Sequence, residues 1–321
     1  MHAKSIFLSV LGFILLLVSA QPALSLGRET DDEILRNFLW EKLIQLPKNK
    51  RPQIGVALSA GGVRGFAHVG VLEVLDNAGL PIDSMAGTSM GSVVGALYSA
   101  GVPTSILWEI SRHMTLQKIT PDLNVGGLLR FLLARQLPSS SNMENFLNEQ
   151  LGEMRFEDMQ IPFSCAAMDA KTGERVLFNS GPLAIAVRAS MNLPGIFAPV
   201  EYRHRQLVDG AVVDYLPTET LRNMGADYII ASVTPPDFSS DAPQSIAAYF
   251  LRIGDVRGAA MIEESSKKAD FVITNRVLNI STLELNKLPQ AGEVGLKAAT
   301  LALPALQEDL LLKMGRYVYE P

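Results

Sequence analysis

The sequence predicts an α/β protein of three layers, in which helices cover both faces of a mainly parallel central sheet. Short apolar runs of strand length alternate with segments of helical periodicity from residue 53 onward. Two glycine-rich turns each follow a predicted strand and precede a predicted helix. The chain has 321 residues, of which 48% are hydrophobic, so it is long enough to bury the core of one large domain.

The first 25 residues have the features of a secretory signal peptide. Residues 6–18 form an unbroken apolar run behind Lys4, and small residues that suit cleavage follow it. The run is shorter than the about 20 residues that a membrane-spanning helix needs. We therefore expect a periplasmic or secreted protein, with an uncleaved N-terminal membrane anchor as the alternative.

The remaining chain divides into an extension with linker at residues 26–52, containing an amphipathic stretch at 34–46, and one domain at residues 53–321. The predicted strands of this domain lie at residues 54–58, 82–86, 162–168, 175–179, 206–208 and 227–233. Helical patterns occupy residues 66–78 and 90–100, an insertion at 104–148, and residues 244–268 and 292–314.

Composition argues against several classes of protein. The net charge is −5 and no basic patch is present, so we expect no nucleic-acid partner. Four histidines and one cysteine form no metal-ligand cluster, and we expect no metal and no cofactor. The single cysteine, Cys165, lies in an apolar run and is predicted to be a buried small residue without a disulfide partner.

Two motifs carry the chemistry. Residues 87–91 have the form G-x-S-x-G, which places Ser89 on a sharp strand-to-helix turn, with Gly87 and Gly91 small enough for the helix to pack closely. The loop at residues 61–65 is rich in glycine, and its backbone N–H groups can face an anion. A serine nucleophile and an anion cradle within one βαβ unit indicate acyl transfer.

A serine needs a base, and two candidates stay open. Ser89, Asp169 and His204 occur in the chain order of a catalytic triad, but His204 lies in a polar run that predicts an exposed hairpin turn. Asp209 ends an apolar strand just before a glycine, where a carboxylate can act directly as base or simply cap the following turn. Spacing alone does not separate these two roles of Asp209.

Together with residues 189–197 and 209–211, the two motifs resemble four ordered blocks of the patatin-like phospholipases, over roughly residues 53–235. The resemblance implies a serine lipid acyl hydrolase in which Ser89 is the nucleophile and Asp209 its base. It also implies an oxyanion hole made by backbone N–H groups of Gly61, Gly62, Val63 and Arg64. The substrate would be a phospholipid or lysophospholipid. The chain departs from the family pattern at Ala60, where many members have glycine, and carries alanine at 211, where some have glycine.

Other functions are compatible with the same motifs and fold. A non-catalytic lipid-binding protein, a thioesterase or an acyltransferase would share this fold. Arg64 is expected to tie down its own loop, with contact to a lipid phosphate as the alternative. Residues 125–135 form an apolar run that contains two arginines. This run predicts either a core-packing helix or a lid that touches the membrane, and we expect transient contact with a membrane surface.

Overall fold

The computed structural model describes residues 30–115, 118–119, 137–239, 243 and 246–319. The predicted signal peptide at residues 1–25 and the apolar run at residues 125–135 lie outside the described residues. The chain divides into two compact units, Met1–Glu41 and Lys42–Pro321. Helix α1, Asp31–Ile44, begins in the first unit and confirms the helical prediction for residues 34–46.

The second unit contains a sheet to which the described residues contribute eight strands. These are β1 Ile54–Leu58, β2 Ser84–Thr88, β3 Phe163–Asp169, β4 Arg175–Phe178, β5 Val200–Tyr202, β6 Arg205–Asp209, β7 Tyr228–Val233 and β8 Phe271–Thr274. Hydrogen-bonded pairs link the strands along the path β5-β6-β3-β2-β1-β7-β8, and β4 also pairs with β3. Strands β3, β2, β1, β7 and β8 are parallel, whereas β4, β5 and β6 pair in antiparallel fashion. The sheet is therefore mainly parallel, as predicted.

Helices cover both faces of this sheet. After the 3-10 turn Gly62–Phe66, the helices are α2 Ala67–Asn77, α3 Met90–Ser99, α4 Thr104–His113, α5 Ser141–Leu151, α6 Leu183–Ser190, α7 Thr218–Asn223, α8 Ile246–Ser266 and α9 Leu288–Tyr319. Neighbouring residues of a strand point to opposite faces. Ala57 packs in one core cluster with Leu221 of α7, whereas Leu58 lies against Gly95 of α3. The fold is thus the predicted three-layer α/β/α arrangement.

The central strands are buried along their whole length because both of their faces are covered. All residues of β1, β2 and β7 are buried. Cys165 on β3 is 1% exposed, which confirms its predicted burial. No helix among the described residues has both the length and the apolarity to cross a membrane.

Strands β2 and β6 end beside each other on the same side of β3. Thr88, the last residue of β2, pairs with Ala166, and Asp209, the last residue of β6, pairs with Ala167. Both β3 residues use their other side to pair with β4, so β2 and β6 share one side. The antiparallel β6 therefore continues along β3 where the parallel β2 stops, and the two strand ends face each other.

Candidate active site

Ser89 occupies the tight turn between β2 and α3. Its backbone has φ 55° and ψ −123°, a conformation that residues other than glycine rarely adopt. A side chain on Gly87 would clash with the carbonyl oxygen of Gly91, and one on Gly91 would clash with the carbonyl oxygen of Leu58. The turn can therefore form only with glycine at both positions, as the motif predicts, and Ser89 takes up the backbone strain.

The carboxylate of Asp209 accepts a hydrogen bond from the hydroxyl group of Ser89. The Ser89 Oγ donates to Asp209 Oδ2 over 2.7 Å, and the Ala211 N–H donates to Asp209 Oδ1 over 2.8 Å. The Asp209 N–H in turn donates to the Asn192 carbonyl over 2.9 Å. Asp209 thus caps the 3-10 turn Gly210–Val212 and also contacts the serine, so the two roles open at the sequence level occur together.

Burial sets the protonation of this carboxylate. Asp209 is 1% exposed, and desolvation raises its pKa to about 7, although the hydrogen bonds from Ala211 and Ser89 act in the lowering direction. No residue that the structure describes forms an ion pair with it. A carboxylate with a pKa near neutrality is a far stronger base than an ordinary aspartate, while a large fraction of it is still ionised at neutral pH.

Part of the glycine loop faces the same cavity as Ser89. Gly61, Gly62 and Arg64 line the cavity. Val63 does not, and its N–H donates to the Thr282 carbonyl over 3.0 Å. This corrects the predicted oxyanion hole, because an N–H group already bonded to a carbonyl cannot also stabilise an oxyanion. Gly62 has φ +55°, and a side chain there would clash with Thr282.

The side chain of Arg64 fixes the loop to a distant helix. Its Nη2 lies 2.9 Å from Asp255 Oδ1 on α8, and the arginine is 4% exposed. The expectation that Arg64 restrains its loop agrees with this contact, although its carboxylate partner comes from α8 and not from the loop itself. An arginine bound to a carboxylate in a nearly dry site is held in one geometry.

None of the histidines in the described part of the chain hydrogen-bonds to Ser89 or Asp209. His68 is buried, with Nε2 2.8 Å from the Ser59 carbonyl and Nδ1 2.8 Å from the Ser232 hydroxyl. Desolvation lowers the pKa of His68 to about 4, so it is a neutral core residue. His204 lies in the exposed hairpin turn between β5 and β6, as predicted. The possible triad partner Asp169 pairs with Arg205 at 3.2 Å.

The end of helix α6 supports both members of the pair. The hydroxyl oxygen of Ser190 accepts a 3.1 Å hydrogen bond from the backbone N–H of Ser89. Two residues later, the Asn192 carbonyl accepts from Asp209, while the Asn192 side chain bonds the Ser140 hydroxyl and the Ala198 carbonyl. Neither Ser190 nor Asn192 could be given a role from the sequence, although both lie in the block at residues 189–197 that resembles the patatin-like phospholipases.

A cavity of about 430 Å³ opens over the pair, a volume within the range of small-molecule sites. Much of its wall is apolar and comes from the loop after α6, the loop after β6, and helix α8. These apolar lining residues are Leu193, Pro194, Val212, Phe250, Leu251 and Ile253. No group of three or more His, Cys, Asp or Glu side chains in the described part of the chain is placed to hold a metal ion.

The fold and the site define a class of protein, in which an α/β sheet presents a strained serine to a buried carboxylate at the ends of two strands. The family model for patatin-like phospholipases matches residues 56–222, which is more than half of the chain. The chain belongs to the patatin-like phospholipase family.

Individual proteins are similar to this chain over part of their length. An uncharacterized NTE family protein of Mycobacterium tuberculosis is 34% identical over 183 residues, covering 56% of this chain and 48% of that protein. Lysophospholipase NTE1 of Pyricularia oryzae is 29% identical over 197 residues, 60% of this chain but 13% of that protein. The crystal structure of VipD from Legionella pneumophila shares the fold, with a TM-score of 0.52 at 12% identity, over 79% of this chain and 67% of that one. The chain thus spans about half the length, or less, of these curated relatives.

Proposed function

We propose that the protein is a serine lipid acyl hydrolase that cleaves carboxylic esters of phospholipids or lysophospholipids through an acyl-enzyme on Ser89. One observation carries this proposal: the Ser89 Oγ donates to Asp209 Oδ2 over 2.7 Å beneath an apolar cavity. A hydroxyl within hydrogen-bond reach of a carboxylate with a pKa of about 7 satisfies the geometric and acid–base requirements for a nucleophile and its base.

In the proposed acylation, the Ser89 oxygen attacks the ester carbonyl carbon while its proton passes to Asp209. The carbonyl oxygen becomes an oxyanion, which N–H groups of the glycine loop stabilise. The assigned donors are Gly61, Gly62 and Arg64, the predicted residues that line the cavity. One such donor lowers the activation barrier by about 3–4 kcal/mol in well-ordered sites. The tetrahedral species collapses when the bond to the alcohol oxygen breaks and Asp209 returns the proton to that oxygen.

Deacylation repeats these steps with water. Asp209 takes a proton from the attacking water, the new C–O bond forms, and the bond from the acyl carbon to Ser89 breaks. Asp209 then reprotonates the Ser89 oxygen, and a fatty acid leaves. The same carboxylate alternates between base and acid, so the proposed cycle needs neither an imidazole nor a cofactor.

The lipid nature of the substrate is inferred from the cavity wall and from the family. Side chains such as Phe250 and Ile253 offer an apolar surface that suits an acyl chain. The Pyricularia relative is named a lysophospholipase. Both phospholipid and lysophospholipid esters therefore belong to the proposed substrate class.

Fluorophosphonate labelling tests the nucleophile, since the probe bonds covalently to an activated serine. We expect labelling of the wild-type protein and of Ser99→Ala, but none of Ser89→Ala. Ser99 is a matched control because it is a buried serine at the far end of the same helix, with its hydroxyl directed at the Met85 sulfur. Equal labelling of Ser89→Ala would overturn the assignment.

Mass spectrometry of lipid products then tests the reaction. Purified protein incubated with phospholipid and lysophospholipid should release free fatty acid, and Ser89→Ala should release none. Transfer of the acyl group to an added alcohol with no free acid would indicate an acyltransferase instead. Binding of lipid without any turnover would support the non-catalytic alternative.

We also propose that the protein acts outside the cytoplasm, in the periplasm or after secretion. Support for this comes from the N-terminal sequence, where the apolar run at residues 6–18 is followed by small residues. Cell fractionation with the native N-terminus tests it, and recovery of the protein in the cytosol would contradict it.

A further inference from the structure

One face of helix α8 exposes large apolar side chains to solvent. Tyr249, Phe250, Ile253 and Val256 are 56%, 59%, 63% and 57% exposed. Their spacing along the helix places them on one side of it. Soluble proteins seldom expose large apolar side chains in such a contiguous patch without a binding partner for it. We call these four residues the α8 face.

The α8 face continues into the cavity above Ser89. Phe250 and Ile253 belong to the exposed face and also line the cavity, together with Leu251 between them. A single apolar surface therefore runs from solvent on the helix to the serine–aspartate pair. A partner covering this face would lie at the entrance of the cavity.

Positively charged side chains border the α8 face. Arg252 lies over the ring of Phe238 at 5.6 Å, and Phe238 is itself 48% exposed. Arg257, one turn beyond Ile253, donates from its Nε to the Val212 carbonyl. Apolar side chains flanked by arginines are the combination that inserts into the headgroup boundary of a lipid bilayer, where the cations meet phosphate groups.

The helix is also fixed to the active-site loop. Asp255 of α8 holds Arg64 at 2.9 Å, and Arg64 belongs to the glycine loop. The orientation of the α8 face relative to Ser89 is therefore constrained by an ion pair whose arginine is buried. Docking of this face would bring the cavity entrance to the docking surface in one defined orientation.

We propose that the α8 face docks on the surface of a lipid bilayer, so that an acyl ester can pass from the membrane into the cavity without crossing water. The proposal rests on the proposed lipid hydrolase function and specifies where the enzyme meets its substrate. The continuity of the face with the cavity favours a bilayer, since a protein partner seated there would cover the entrance that a lipid substrate must use.

Vesicle binding tests the proposal with a double variant, Tyr249→Glu and Val256→Glu, made in the Ser89→Ala background so that no lipid is consumed. These two side chains belong to the face but not to the cavity lining. Vesicles of equal parts phosphatidylcholine and phosphatidylglycerol serve as the probe in a flotation assay. Two charges replacing two apolar contacts should weaken binding by about tenfold or more.

The matched control is Leu301→Glu with Leu312→Glu. These leucines are 73% and 76% exposed on helix α9 and lie outside the cavity lining, so they match the test in chemistry but not in location. We expect the control to bind vesicles within about twofold of the parent protein. Equal loss in both variants would mean nonspecific repulsion and would overturn the proposal, as would unchanged binding of the α8 variant.

A fluorescent readout tests insertion without weakening the protein. Val256→Trp should show a blue-shifted emission when vesicles are added, because its ring enters the apolar boundary, whereas Leu301→Trp should not. No shift at position 256 would contradict docking by this face. A wild-type dimer in light scattering that the Tyr249→Glu and Val256→Glu changes convert to a monomer would likewise contradict it, since a second copy would then cover the face.

Turnover of a soluble short-chain ester separates this proposal from the proposed function. In the active background, the α8 variant should hydrolyse that ester within about twofold of wild type while losing activity on vesicles. Soluble-ester turnover with no vesicle binding by the wild type would sink the docking proposal and leave the hydrolase intact. Vesicle binding through α8 without any ester turnover would refute the hydrolase instead.

Discussion

Replacing Asp209 by asparagine should abolish activity and yet stabilise the protein at neutral pH. Burial raises the pKa of Asp209 from 3.8 to about 7, so the folded protein favours the protonated, uncharged carboxyl group. An asparagine is uncharged at every pH. Its Oδ1 can still accept from the Ala211 N–H and its Nδ2 can donate to the Ser89 oxygen, so the local geometry should survive.

The sign of the effect follows from linkage. Because the folded-state pKa is raised, the stability associated with Asp209 is fully present below about pH 4 and is lost as pH rises through about 7. Above about pH 7, the ionised Asp209 lowers the free energy of unfolding by about 4 kcal/mol relative to its value below about pH 4, where the carboxyl group is protonated. The wild-type protein carries this cost at neutral pH and the asparagine variant does not.

Urea unfolding of both proteins at about pH 5 and about pH 8 measures the difference. We expect the stability advantage of Asp209→Asn to grow by about 2–3 kcal/mol between these two conditions, because over most of this interval the folded state holds a proton that the unfolded state has already lost. Comparing one protein with the other at two pH values removes any pH-independent effect of the amide. Hydrolytic activity should fall by at least about a hundredfold.

A second buried aspartate provides the matched control. Asp83 accepts from Arg51 through two contacts of 2.5 and 3.0 Å, so its charge has a partner that Asp209 lacks. Asp83→Asn leaves a buried arginine without its counterion and should destabilise the fold by about 3–5 kcal/mol. If Asp209→Asn also destabilises the protein at about pH 8, or if its effect does not change with pH, the reasoning about Asp209 is wrong.

Three further predictions concern the protonation of Asp209, the backbone hydrogen bond of Ser89 and the N-terminus of the exported protein. The value of kcat/KM on a soluble ester should rise with pH and level off above about pH 7, because Asp209 must be ionised to act as base. A flat profile from acid to neutral pH would exclude that role. Ser190→Ala removes the acceptor of the Ser89 N–H and should lower kcat about tenfold at unchanged KM, whereas a purely structural role would leave kcat intact. Intact-mass analysis of exported protein should find an N-terminus at Gln21 or Leu26, and a mass that includes Met1 would contradict signal cleavage.

Sequence patterns were sufficient for the centre of the sheet and insufficient for its edges. The predicted strand at residues 54–58 coincides with β1, and the one at 82–86 is displaced by two residues from β2. The short strand β8 was not predicted, and β5 was implied only by the hairpin turn predicted around His204. Three or four residues at a sheet edge are too few to show a periodicity, and tertiary pairing decides their conformation.

The site shows a similar division between local and distant information. Ser89 could be placed from its own neighbours, because the G-x-S-x-G pattern is typical of a sharp strand-to-helix turn, in which only glycine fits at positions 87 and 91. The hydrogen bond from Val63 could not be predicted, since its acceptor Thr282 lies over two hundred positions further along the chain. The Arg64–Asp255 pair escaped prediction for the same reason. Roles that depend on which distant segment folds back onto a loop are not encoded in the local spacing.

The position of an aspartate beside the Ser89 hydroxyl follows from the sheet. Because β6 runs antiparallel and continues along β3 beyond the end of β2, the last residue of β6 must lie against the first residue after β2. A short carboxylate side chain spans that gap directly, at 2.7 Å. The same position is dry because helices and loops cover the strand ends, and dryness raises the pKa of Asp209 enough for it to act as a base near neutral pH. Geometry and basicity thus have one structural cause, so a change that admits water to Asp209 should weaken the base even if every distance is preserved.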